Sequence, residues 1–117
     1  MNWQHKGLTL KKWEKMDLME QMANVGSEVE RVISWRNKEN EEYSRLAFWR
    51  ALELLWLTVE AQRGSSSVLK ELCRLREVLV DYFAGENQYG SSDKLWQSYF
   101  RPFNWAARVG GDRSLKV

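Results

Sequence analysis

The sequence predicts an all-α fold: an up-down-up-down four-helix bundle with a short extra helical turn at the N-terminus and a Pro-kinked last helix. Three observations carry this. Apolar residues recur at three- and four-residue intervals through four long segments, the spacing of one helix face. No alternation of period two extends beyond a few residues, so strand signals are absent. Short polar connections separate the segments, which makes sequential antiparallel packing the natural topology.

Taken in order, residues 1–8 are expected to be loose, and Thr9 caps a first turn through LKKWEKM. Asp17 begins the first long helix, with Glu20 three residues on, as in a capping box. Leu18, Met22, Val25, Val29, Val32 and Arg36 then follow heptad spacing over residues 18–37. Gly26 interrupts that run at a local cost of roughly 1 kcal/mol against Ala, which close approach of a neighbouring helix would explain. Residues 37–40 form a short polar turn.

The second helix, NEEYSRLAFWRALELLWLTVEAQ over residues 40–62, has more apolar surface than a single core uses. Tyr43, Ala47, Leu54, Leu57 and Ala61 fall on one face. Phe48, Leu52, Leu55 and Val59 fall on another, with Trp49 and Trp56 at its edge. Only a strip with Glu42, Glu53 and Glu60 stays polar. A helix apolar nearly all round is buried on several sides, within the chain or by a partner. It is expected to end near Gly64, with a cap for the next helix among Ser65, Ser66 and Ser67.

The third helix is read over residues 68–84, with Leu69, Leu72, Leu75, Arg76, Leu79 and Phe83 facing inward and Cys73 and Val80 beside them. Gly85 is read as a left-handed stop. After the loop ENQYGSS, Ser92 caps a fourth helix over roughly 93–109. Pro102 removes the bond to the Ser98 carbonyl, so a kink or a break into 93–100 and 102–109 is expected. Residues 110–117 are read as a frayed tail.

The 117 residues fit one domain, long enough to bury a core without metal or disulfide help. A hydrophobic content of 44% and a mean hydropathy of −0.60 indicate a globular chain. Seven Trp are several times ordinary usage and suit either a core or an interface. The lone Cys73 excludes an internal disulfide and is read as a small core hydrophobe. No stretch has the length of a signal-peptide core or a membrane span, so a cytoplasmic location is expected. The net charge of +2 is spread among mixed signs. The nearest basic clusters, Lys11, Lys12 and Lys15, then Arg108, Arg113 and Lys116, are thin for a dedicated nucleic-acid binder.

The chemical vocabulary is narrow. His5 is the only histidine, which removes Ser-His-Asp and Cys-His arrangements from the rest of the chain. One Cys and one His are too few for a zinc centre, and no phosphate-binding glycine loop occurs. No catalytic residue, metal ligand or cofactor is assigned. Carboxylates alone could hold Mg²⁺, but Glu39 and Glu42 lie at a helix entrance. Glu77 and Asp81 are four apart, unlike the ExxE and ExxD pairs of the helical nucleotide pyrophosphohydrolases. Charges near predicted inner faces are a second candidate site. Arg50 and Arg76, with Glu28, Glu53, Glu77 or Asp81, would form a buried ionic network that fixes helix register or a polar pocket for an anion.

The segments NVGSEVERVISWRNK, RALELLWLTVE and RLREVLVDYFAGENQYGSS resemble those of small prokaryotic proteins of unassigned function, over roughly residues 10–108. That resemblance implies a helical fold and no activity. The architecture is also similar to the four-helix proteins encoded in 23S ribosomal RNA intervening sequences and to the accessory variability determinants of retroelements. Those groups are oligomeric bundles associated with nucleic acid. No motif of either maps onto this chain, so no functional residue is carried over. The HEPN helical nucleases are similar in size, but their arginine-to-histidine motif lies near the C-terminus, where this chain has no histidine.

The functional expectation is a non-catalytic, oligomeric helical adaptor with an unknown protein partner and no membrane partner. A homodimer is favoured, paired through Phe48, Trp49, Leu52, Leu55, Trp56 and Val59. The N-terminal segment, with Trp3, Leu8, Leu10 and Trp13, competes to cover the same stripe. The alternatives are a Mg²⁺-dependent hydrolase of nucleotides or phosphate esters and a nucleic-acid-binding accessory protein.

Overall fold

The computed structural model describes the backbone of residues 10–116 and the side chains of residues 10–109. The expected loose segment 1–8, the Thr9 cap, His5, Trp3 and Leu8 lie outside the described residues, as do Val117 and the side chains of Arg113 and Lys116. Among the described residues the fold is all-helical: α1 (Leu10–Glu14), α2 (Leu18–Asn37), α3 (Glu41–Ala61), α4 (Ser66–Ala84) and α5 (Asp93–Lys116).

The helix starts follow from local chemistry. The Asp17 side chain accepts from the Glu20 amide at 2.8 Å, and Asn40 accepts from the Tyr43 amide at 3.0 Å. Ser92 does the same for the Leu95 amide at 3.1 Å. Each satisfies a donor that the first helical turn leaves open. Ser65 stands at the start of α4 without a side-chain cap bond.

The stops are less regular. At the end of α2 the Asn40 amide reaches back to the Trp35 carbonyl and the Glu39 amide to the Arg36 carbonyl. This pair of bonds needs a left-handed residue between them, and Glu39 supplies it at φ 60°. Gly85, expected to be the left-handed stop of α4, has an extended backbone instead. The reversal falls two residues later, at Asn87 with φ 55°. The Asp81 carbonyl holds that turn by accepting from both the Gly85 and Asn87 amides.

Packing centres on α2. One side lies along α3, its most extensive contact, and another receives α5. Met22, Val25, Val29, Val32 and Ile33 are buried between them. Gly26 explains how α5 comes so near. A Cβ there would lie 2.8 Å from Cγ and Cδ1 of Phe100 and 2.9 Å from its Cβ. The aromatic run of α5 continues the contact, with Trp96 and Phe100 buried and Tyr99 and Phe103 packed against the core. α5 is helical through Pro102 to Lys116, so the expected break into two pieces is not found. Pro102 and Ser98 are both exposed, and water can take the carbonyl that the missing proline N–H leaves open.

α1 and α4 both pack against α3. Trp13 of α1 is only 2% exposed, and its Nε1–H donates to Thr58 Oγ1 at 3.0 Å. Thr58 in turn donates to the Leu54 carbonyl. Gln21 closes α1 by donating to the carbonyls of Trp13 and Met16 while accepting from Gln62. Every polar atom in this stitch has a partner, which is what makes its burial affordable.

Two outcomes are expected. Gly26→Ala gains helix propensity but drives a methyl into a buried ring, so it should lower unfolding free energy by about 1–3 kcal/mol; Phe100→Leu in the same chain should recover part of the loss. Urea titration showing Gly26→Ala as stable as the wild type would contradict the close crossing. Glu39→Gly removes the left-handed strain and should raise stability by about 1 kcal/mol, read as a higher denaturation midpoint with an unchanged slope.

Candidate functional site

The outward face of α3 is the first candidate surface. Arg45, Trp49, Leu52, Trp56, Val59 and Arg63 follow one another at intervals of four and three, a heptad seam on one side of the helix. Trp49 is 48% exposed and Trp56 47%, two turns apart. Leu52 and Val59 are partly buried, and Glu60 holds Arg63 at the far end by a two-point ion pair. The sequence-derived stripe was wider than this. Leu55 is fully buried and has no surface to offer, because it lies on the side of α3 that includes Thr58, where Trp13 docks. Phe48 faces inward enough to stack on Phe83 of α4, 5.6 Å between centroids.

The expected polar cluster does not assemble. Arg76 and Cys73, read as inner-face residues, are exposed. The reason is that α4 buries only the narrow line of Leu72, Leu75 and Leu79, so residues beside that line reach solvent. Arg50 is half-buried and belongs to none of the ion pairs among the described residues. Glu28 is buried but turns to its own helix, accepting from Arg31 at 2.7 Å. Glu53 is buried on α3. Asp81 accepts from the Gln88 and Tyr89 amides, and Glu77 accepts from the Tyr89 hydroxyl. Those two carboxylates hold the α4–α5 loop in place. Among the described residues no three His, Cys, Asp or Glu side chains gather as metal ligands would.

The ion pair that joins helices is made by Arg36, the polar member of the α2 heptad, which is partly buried. Its guanidinium pairs with Asp93 at the start of α5 and lies 5.3 Å from the centroid of Tyr82 and 5.5 Å from that of Phe83. The Tyr82 hydroxyl donates to the same Asp93 oxygen at 2.7 Å. Three helices are joined at one carboxylate. Burial pushes the Asp93 carboxyl up, but the bonds from Tyr82 and Arg36 outweigh it and hold the group below the ordinary carboxylate value. The signal for this site was in the sequence, since Arg36 stands where the heptad calls for an apolar residue; its partner 57 residues away was not.

A groove of about 660 Å³ lies between α2 and α5. Trp96 and Phe100 line it, with Arg31 and Ser27 on the α2 side and Arg101 and Asn104 on α5. Trp96 Nε1 is buried, and among the described residues it has no acceptor. A smaller groove borders the α3 seam at Trp49 and Arg45, with Arg36, Phe48 and Phe83 behind it.

The chain matches no protein-family model, no curated protein and no solved structure. No described helix is long and apolar enough to cross a membrane.

The Asp93 site has a pH signature. A carboxyl held below its ordinary value stabilises the fold fully above that value, near 3.8, and the contribution fades as pH falls through the lower folded-state pKa. Asp93→Asn should cost about 1 kcal/mol at neutral pH, a modest figure because the pair is partly solvated. The gap to wild type should close below about pH 4. A gap that persists undiminished in acid would show that Asp93 acts by packing and not by charge.

Proposed function

We propose that this chain is a non-catalytic helical interaction protein that pairs with a second copy through the outward face of α3. The observation that carries this reading is the pair of half-exposed indoles, Trp49 and Trp56, spaced two turns apart on a heptad seam. Tryptophan is the residue most costly to leave in water and the one most often found as an interface anchor. A seam of this spacing can pack against a second copy of itself in a two-fold pair, the commonest oligomer symmetry. In this reading the four long helices form an up-down-up-down bundle in the cytoplasm, and α1 trims the surplus apolar face of α3 down to the seam.

The size of the patch sets the strength. Two half-exposed indoles and part of Leu52 amount to a few hundred Å², against roughly 800 Å² per partner in a standard stable interface. A patch of that size suits a reversible pair, anchored at two points, and not an obligate dimer.

Light scattering on a sizing column at tens of micromolar tests this. The wild type should run at twice the 13.9 kDa chain mass, and dilution should shift it toward the monomer. Trp49→Glu with Trp56→Glu should give a folded monomer at every concentration. A wild type that is monomeric at tens of micromolar would end the proposal.

A further inference from the structure

The face of α5 opposite its aromatic core side is a second exposed surface, charged with one sign. From residue 94 to 109 the helix carries Lys94, Arg101 and Arg108 and no acid. All three are exposed. Their seven-residue spacing puts them on one side of the helix, about 10.5 Å apart along the axis and about 21 Å from end to end. Among the described residues none of the three belongs to an ion pair. Trp105 stands between Arg101 and Arg108 on the same side and is 64% exposed, the most exposed large hydrophobic residue described. The linear sequence hides this stripe, because the three cations are diluted among the aromatics that face inward. Arg101 also lines the α2–α5 groove, across from Arg31, with Gln97 and Asn104 beside it.

We infer that this face binds a single-stranded nucleic acid, with a base stacked on Trp105 and phosphates held by Lys94, Arg101 and Arg108. A cationic track punctuated by an open aromatic ring is what a single strand needs, since its unpaired bases offer π faces beside a regular line of negative charge. At the groove edge the Asn104 amide adds a donor and an acceptor suited to a base edge, while the Gln97 amide donates to Glu30 of α2. An anionic membrane is a poorer fit. An interfacial helix needs a broad apolar face to sink into lipid, and the apolar face of α5 is already spent on α2 and the core. An acidic peptide would satisfy the cations but gives the exposed indole nothing to stack on. The inference does not depend on pairing through α3, which uses other residues.

The test is fluorescence anisotropy with a labelled oligo-uridylate of about twenty nucleotides. Three phosphate contacts give a log–log salt slope near −2, so affinity should fall about 100-fold between roughly 20 and 200 mM salt. Arg101→Ser with Arg108→Ser should bring the slope to about −0.7, and Trp105→Ala should weaken binding roughly tenfold or more at constant salt. Lys70→Ser with Arg74→Ser, exposed cations of α4, removes the same charge elsewhere and should change affinity less than twofold. Circular dichroism confirms that each variant is folded. Any of three results overturns the inference: no binding at low salt and tens of micromolar protein, equal losses in the α4 and α5 variants, or binding to anionic phospholipid vesicles or oligoglutamate that matches or exceeds binding to the oligonucleotide.

Discussion

Phe100 occupies the space that a side chain at position 26 would fill, and much of the helical arrangement depends on that contact. With glycine there, α5 can lie close against α2 and bury the edge of its aromatic run. α2 then has two buried sides, one toward α3 and one toward α5, and becomes the middle of the molecule. The local loss of helix propensity at Gly26, about 1 kcal/mol, is small beside the burial of Trp96 and Phe100, each worth several kcal/mol if truncated. The same contact decides what α5 shows to solvent. Once its aromatic side is committed to α2, the side that remains is the one with Lys94, Arg101, Trp105 and Arg108.

What the sequence revealed and what it hid divide along a physical line. Features decided within one turn of chain were legible. Asp17 and Ser92 cap as read because a cap depends on residues three positions apart. The run of α2 was visible to the residue because its heptad is regular. Features decided by how many neighbours a helix has were not. Arg76 and Cys73 were placed inside because α4 was given a broad buried face, whereas α4 buries fully only a line of three leucines. The α3 stripe was read as too wide for the opposite reason. Its extra cover comes from α1, a five-residue helix whose weight rests on one tryptophan.

Gly85 shows a subtler failure. Glycine after a helix usually marks the left-handed residue, and here the chain makes that turn at Asn87. The difference is Asp81. Its carbonyl accepts from two loop amides and its carboxylate from two more. Four bonds to one residue outweigh the preference of a single glycine, and they also consume a carboxylate that would otherwise have been a candidate ligand. Glu77 is drawn into the same loop through Tyr89. Acidic side chains that look available in the sequence are thus committed to the loop by the fold.

The two candidate surfaces stand on different helices, α3 and α5, each of which packs chiefly against α2. That separation has a consequence for any ligand of α5. Pairing through α3 would leave both copies of the α5 face open and would place two cationic tracks on one particle. A weak single-site contact becomes strong when a second site on the same particle can be reached by the same strand. A reversible pair and a salt-sensitive strand contact, each modest alone, would then reinforce each other. Strand binding would favour the dimer by the same factor that dimerisation favours the strand, because the coupling between two equilibria is reciprocal.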